Sequence, residues 1–150
     1  DAASKLNEQK NYQSALQVAN QAIELNQNNA MAYYTRGSIY LHMQNYNQAL
    51  SDFTKSIELN PNYSVAYNDR GETYRYLKIY DKAVADYNKA IELKPNYTFP
   101  YNNRAIVYQT LKQYDKAFED YNRALKINPN YDTPYYNRGN VYFKLNQYLK

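Results

Sequence analysis

Small, aromatic and polar residues recur along this chain at fixed intervals. In Tyr67–Tyr97, apolar or small residues fall at Tyr67, Gly71, Tyr74 and Leu77, spacings of four, three and three. Those spacings place all four on one face of a helix and predict an element over about 64–77. Ala83, Tyr87, Ala90 and Ile91 do the same for a second helix over about 81–93. Between them, Lys78-Ile79-Tyr80-Asp81 predicts a tight turn, with Asp81, like Asn47 and Asp115, as helix N-cap. Pro61, Pro95 and Pro129 fall where a second helix must stop. Pro100 and Pro134 fall in the first turn of the following helix, where a missing N–H costs little.

The whole pattern repeats every 34 residues. Gly37, Gly71, Ala105 and Gly139 share one slot, and Ala15, Ala49, Ala83 and Ala117 share another. A period of this length marks a solenoid of helical hairpins. Full units are expected at 30–63, 64–97 and 98–131, with partial units at 1–29 and 132–150 and the chain cut at both ends. In the first partial unit, the tail of one helix to about Gln9 should precede a second helix over Tyr12–Leu25. Gly71 and Ala83 let two antiparallel helices approach closely, and Ala90 does so between units. Tyr67, Tyr74, Tyr80 and Tyr87 should fill the remaining space as plates with hydroxyls at the rim. No unit buries its apolar face alone, so neighbours must stack.

Composition narrows the chemistry. There is no cysteine and hence no disulfide or thiolate metal site. The sequence implies no cofactor. The net charge of +4 is scattered, not massed, which disfavours nucleic acid as partner, and no apolar run is long enough to enter a membrane. A cytoplasmic location is favoured, with periplasmic or secreted placement left open. The 21 tyrosines fall mostly in register with the repeat, which makes them structural first.

Catalysis has little to stand on. The one histidine, His42, near the end of a first helix, has no evident nucleophile or carboxylate partner and reads as a solvated or groove-edge side chain. Comparing units with one another exposes a charge pairing instead. Arg36, Arg70 and Arg104 are each followed sixteen residues later by Asp52, Asp86 and Asp120, and both charges are absent together in the first unit, at Ala2 and Val18. A pair joining the two helices of one unit is the favoured reading, arginine suiting a two-pronged bond to a carboxylate; the alternative is a groove arginine reading an acidic ligand.

The motif resembles the tetratricopeptide repeat (TPR) family. Its aromatic–Gly–Tyr…Ala…aromatic…Ala…Pro pattern matches Tyr33, Gly37, Tyr40, Ala49, Phe53, Ser56 and Pro61, then Tyr67, Gly71, Tyr74, Ala83, Tyr87, Ala90 and Pro95, then Tyr101, Ala105, Tyr108, Ala117, Tyr121, Ala124 and Pro129. The resemblance implies an all-α, right-handed superhelical solenoid of antiparallel helix pairs. It also implies a concave groove, lined by each unit's first helix, that binds a peptide or protein. The implied groove residues are Tyr34, Ser38, Asn68, Glu72, Arg75, Tyr76, Phe99, Asn102, Asn103, Ile106, Tyr136, Asn137 and Asn140. Asparagine amides there would hold a peptide backbone and aromatics its apolar side chains. The family's two-carboxylate clamp for acidic chaperone tails does not fit: its slots hold Tyr34, Ser38, Asp69, Phe99 and Asn103, with no lysine and one aspartate. The expected function is therefore a non-catalytic interaction scaffold. The alternatives are a homo-oligomer assembled through exposed end units, an RNA-binding repeat, and the recruiting domain of a larger enzyme.

Overall fold

Two amphipathic helices in each 34 residues leave apolar faces that only neighbouring helices can cover, and the chain stacks accordingly. The computed structural model describes the backbone of residues 2–148 and the side chains of residues 11–145. Those residues form α1 (Ala2–Leu25), α2 (Ala30–His42), α3 (Tyr46–Leu59), α4 (Ser64–Tyr76), α5 (Tyr80–Leu93), α6 (Thr98–Thr110), α7 (Tyr114–Ile127) and α8 (Asp132–Tyr148). There is no strand among the described residues. Helices α2–α3, α4–α5 and α6–α7 pack as antiparallel hairpins, and each second helix packs on the first helix of the next hairpin. Helices α2, α4, α6 and α8 also touch in succession, forming an inner row behind which α3, α5 and α7 form an outer one. The result is the expected all-α solenoid of helix pairs.

The slot shared by Gly37 and Gly71 explains the close hairpin. A Cβ built on Gly37 would lie 3.0 Å from the Phe53 ring, and one on Gly71 would lie 2.9 Å from the Tyr87 ring and 3.2 Å from the Ala83 carbonyl oxygen. Ala49, Ala83, Ala90, Ala117 and Ala124 are fully buried, as are the large rings of Phe53, Tyr87 and Tyr121.

The hairpin turns repeat as closely as the helices. Gln44, Lys78 and Lys112 each take positive φ near 60°. The following residue's N–H returns to the carbonyl five residues back: Asn45 to Tyr40, Ile79 to Tyr74, Gln113 to Tyr108. This closure satisfies the carbonyls left over at the end of each first helix.

Three expectations change. First, α1 runs unbroken from Ala2 to Leu25, where a turn near residue 10 was expected. Lys10-Asn11-Tyr12 resembles the other turn sequences, so the cause lies in packing. The first unit has Ala19 where the others have a large ring, and neither the arginine nor the aspartate, so it lacks the ring and the charge pair that join the two helices of the other hairpins. Second, Asp81, Asn47 and Asp115 are not N-caps. The helices start at Tyr80, Tyr46 and Tyr114, which moves these residues into the first turn, and the cap positions at Ile79, Asn45 and Gln113 make no side-chain bond. Asp81 and Asp115 there act on the positive end of the helix dipole. Third, the Tyr87 hydroxyl does not reach a rim: the whole residue is buried and that oxygen has no hydrogen-bond partner.

Candidate functional site

Two ladders of polar side chains run along the solenoid. The first lies in the hairpin seams. Arg36 donates through Nε and Nη2 to both carboxylate oxygens of Asp52, each at 2.7 Å. Arg70 does the same to Asp86 at 2.7 and 2.8 Å, and Arg104 to Asp120 at 2.7 and 2.6 Å. Each arginine also stacks on the tyrosine three residues before it, Tyr33, Tyr67 and Tyr101. The remaining prong, Nη1, turns backwards to the preceding unit: Arg36 to Asn20, Arg70 to Thr54, Arg104 to Asn88 and Arg138 to Asn122. One side chain thus ties its own hairpin and the joint to the previous one. The backward contact, sixteen residues upstream, mirrors the forward one and is visible in the sequence once that spacing is sought in both directions.

The second ladder lies on the inner row, where each rung joins residues 35 apart on successive first helices. The Tyr34 hydroxyl donates to Asp69 Oδ2 at 2.8 Å, Asn103 Nδ2 to Asn68 Oδ1 at 3.3 Å, and Asn137 Nδ2 to Asn102 Oδ1 at 3.3 Å. Neighbours close the gaps: Asn68 Nδ2 donates to Asp69 Oδ1 at 2.9 Å and Asn102 Nδ2 to Asn103 Oδ1 at 3.4 Å. A continuous chain of side-chain hydrogen bonds therefore runs from Asn137 through Asn102, Asn103 and Asn68 to the Asp69 carboxylate. Asn68, Asn102 and Asn103 are buried, 4%, 2% and 9% exposed. Their amides serve one another first, which differs from the open, ligand-facing amides expected from the sequence.

Asp69, where the ladder ends, is held unusually. Burial pushes its carboxyl above the ordinary carboxylate range; the hydrogen bonds from Asn68 and Tyr34 pull it back, and the Glu72 charge pushes it further up. Burial, the Asp69 charge and the shared hydrogen bond together hold the Tyr34 hydroxyl above its ordinary value, so it stays a donor.

A groove pocket of about 450 Å³ opens above this carboxylate, between α4 and α6. It brings together Tyr34, Asn68, Glu72, Arg75, Phe99, Asn102, Asn103 and Ile106 of the expected groove residues, with Asp69 and Val65. Tyr97, Tyr131 and Thr133, which line it as well, were not foreseen. Tyr97 and Tyr131 close the Pro-Asn-Tyr loops, in register with Tyr63, and that periodicity is the signal that marks them. Phe99 sits between them, its ring centroid 5.7 Å from Tyr97 and 5.4 Å from Tyr131. On the far wall Tyr34 packs on Tyr63 at 5.0 Å.

The other expected residues lie elsewhere. Tyr76 stacks on Tyr46 at 5.5 Å and borders a separate hollow of about 290 Å³ with Leu41, His42 and Glu72. His42 Nδ1 lies 2.7 Å from the Ser38 carbonyl oxygen, and Ser38 lines neither hollow. Tyr136 is exposed, Asn140 is half-buried, and both stand apart from the pocket on α8, as does Asn137 beyond its bond to Asn102. Among the described residues no cluster of His, Asp or Glu has the makings of a metal site, and no helix is long and apolar enough to cross a membrane.

Comparison with known proteins agrees with this architecture. A family model described as Tetratricopeptide repeat matches residues 30–63 and 64–97, another of the same description matches 86–119, and one described as TPR repeat matches 110–146. No curated protein sequence matches the chain. Among solved structures, MamA superposes with a TM-score of 0.82 at 22% identity, over 97% of this chain and 85% of that one. The first TPR of Spaghetti (RPAP3), bound to the HSP90 peptide SRMEEVD, gives 0.74 at 27% identity, over 77% and 92%. The Arabidopsis OM64 TPR domain gives 0.75 at 21% identity, over 77% and 95%.

Proposed function

The chain belongs to the tetratricopeptide repeat family, and from that membership we propose that it is a non-catalytic scaffold holding a peptide or protein segment in the groove along its inner row. The unit boundaries at 30–63, 64–97 and 98–131, with partial units at 1–29 and 132–150, belong to the same reading. The observation that carries it is the pocket between α4 and α6, where Phe99 stands 52% exposed among ordered aromatic neighbours. An exposed ring beside a fixed carboxylate and buried amides gives an apolar anchor with polar positioning groups around it. The peptide on the RPAP3 repeat gives a precedent at 27% identity for a bound segment on this fold. The asparagine ladder gives the groove floor a chain of amides fixed by one another.

A photo-reactive benzoylphenylalanine in place of Phe99, compared with one in place of the exposed Glu58 on outer helix α3, tests the location. Crosslinking of a partner from Phe99 and not from Glu58 is the expected result. The reverse would move the site to the outer row.

A second reading is self-association. Helix α8 exposes Tyr135, Tyr136, Tyr142 and Phe143 together, and nothing lies within 4 Å of a Cβ built on its Gly139. Such a face favours a second copy or another apolar surface. A mass by light scattering that rises with concentration supports it, and a constant monomer mass removes it.

A further inference from the structure

We propose that the pocket between α4 and α6 takes a cationic side chain, a lysine or arginine of the bound protein segment, with Asp69 as counter-ion and Tyr34, Tyr97, Phe99 and Tyr131 as the aromatic walls. The inference rests on the groove reading above and adds the class of ligand.

The charges in the pocket are the first ground. Two carboxylates and one guanidinium line it. Glu72 is met by Arg75 at 3.2 Å, and the same arginine lies over the Tyr76 ring at 4.4 Å. That cation is committed. Asp69 receives only neutral donors, the Tyr34 hydroxyl and the Asn68 amide, and no salt bridge to it exists among the described residues. In the hairpin seams of the same protein every repeated buried aspartate has a two-pronged arginine. Asp69, half-buried on the groove side, has none, in a chain whose net charge is +4.

The walls are the second ground. Aromatic faces attract cations through their quadrupoles, and a ring of them around one acidic group is a cage for an ammonium or guanidinium head. A long basic side chain would lay its methylenes along Phe99 while its head reaches Asp69. A volume of about 450 Å³ admits it with room for the flanking backbone. Burial already pushes the Asp69 carboxyl up, and an arriving cation would relieve that cost.

Position is the third ground. The slots equivalent to Asp69 in the other units hold Thr35, Asn103 and Asn137, and those equivalent to Glu72 hold Ser38, Ile106 and Asn140. The acid occurs at one rung only. One cation in a ligand would therefore fix its register along an otherwise neutral, amide-lined groove.

The test starts from a random 12-residue peptide display library selected on the full chain, with synthetic versions of the enriched peptides measured by fluorescence anisotropy. Enriched peptides should share a lysine or arginine at one position and lose binding on Phe99→Ser. Replacing that base with norleucine should weaken binding to the parent chain at least tenfold, and to Asp69→Asn less than threefold. The ligand-side change leaves the protein untouched, so the result stands whatever Asp69→Asn does to the fold. Groove peptides, defined by their loss on Phe99→Ser, that carry no shared base or tolerate norleucine would overturn the cation and leave the groove reading standing. A selection yielding no peptides, or only peptides indifferent to Phe99→Ser, would overturn both.

Discussion

The seam between α4 and α5 and the pocket between α4 and α6 lie on different faces of one helix, and each is built around an aspartate, buried in the seam and half-buried in the pocket. In the seam, Asp86 meets both prongs of Arg70, with the same arrangement one unit before and one unit after. In the pocket, Asp69 meets a hydroxyl and an amide, with no counterpart acid in any other unit. The difference separates two uses of one residue type. A charge neutralised in place and repeated at every hairpin holds the stack together. A charge left open to one groove, once, is available to something outside the chain.

The largest expected effect breaks the seam. Asp86→Ala leaves the Arg70 guanidinium in a largely buried site with only Thr54 and the Tyr67 ring beside it. Stranding one partner of such a pair costs about 3–5 kcal/mol. Urea denaturation should show that loss, and the repeat predicts similar losses for Asp52→Ala and Asp120→Ala. A melt within a degree or two of the parent would mean that the seam pairs are surface-like and the contrast with Asp69 is empty.

The forward half of this seam was legible because comparing equivalent positions across units shows two charges appearing and vanishing together. Equivalent positions do not reveal neighbours, however. The rungs Tyr34–Asp69, Asn68–Asn103 and Asn102–Asn137 join adjacent slots in adjacent units, a spacing of 35 that no 34-residue alignment displays. Asparagine was therefore visible in the groove, while its bonding to itself was not. The fold was legible from Gly71, Ala83 and Pro95 because each answers a local steric demand. The unbroken α1 was not, since its Lys10-Asn11-Tyr12 resembles a turn and lacks only the packing that would fold it over.

Next in size is a break in the inner ladder. Asn68 donates to Asp69 and accepts from Asn103, both at buried or half-buried sites. Asn68→Ala removes both bonds and leaves polar atoms without partners, for about 1–3 kcal/mol. Asn137→Ala, at the ladder's end, removes one bond and should cost roughly 1 kcal/mol by the same denaturation. Equal, near-zero costs would show the amides to be free for a ligand, as the sequence led one to expect.

Asp69→Asn sharpens the comparison by sign. Its folded-state pKa lies above the ordinary carboxylate value, so folding favours the protonated form. The stability that the wild-type residue contributes is full below the ordinary value and is lost as pH rises through the raised one. The neutral amide has no such loss. Asp69→Asn should therefore be the more stable protein at neutral pH, by less than either change above, and the gap should close toward about pH 4. A variant less stable than the parent at neutral pH, measured by the same urea titration, would put Asp69 on the structural side with Asp86.

The smallest effect concerns the close approach that both regions depend on, since α4 is fixed to α5 through Gly71. An added Cβ there would meet the Tyr87 ring at 2.9 Å and the Ala83 carbonyl at 3.2 Å. The next hairpin already carries this change, with Ala105 in the same slot and Tyr121 buried opposite it. The two rings differ at their far ends. Tyr121 bonds its hydroxyl to Gln109 at 2.8 Å, whereas no hydrogen bond holds the buried Tyr87 hydroxyl in place. Alanine also gains about 0.5–1 kcal/mol over glycine inside a helix. Strain and propensity nearly cancel, so Gly71→Ala should stay within about 1 kcal/mol of the parent. Gly139→Ala, with nothing within 4 Å, should gain the full propensity term of about 0.5–1 kcal/mol. A loss at Gly71 well beyond 1 kcal/mol would show that the α4–α5 seam is packed more rigidly than its neighbour, and that the pocket above it is held to the same tolerance.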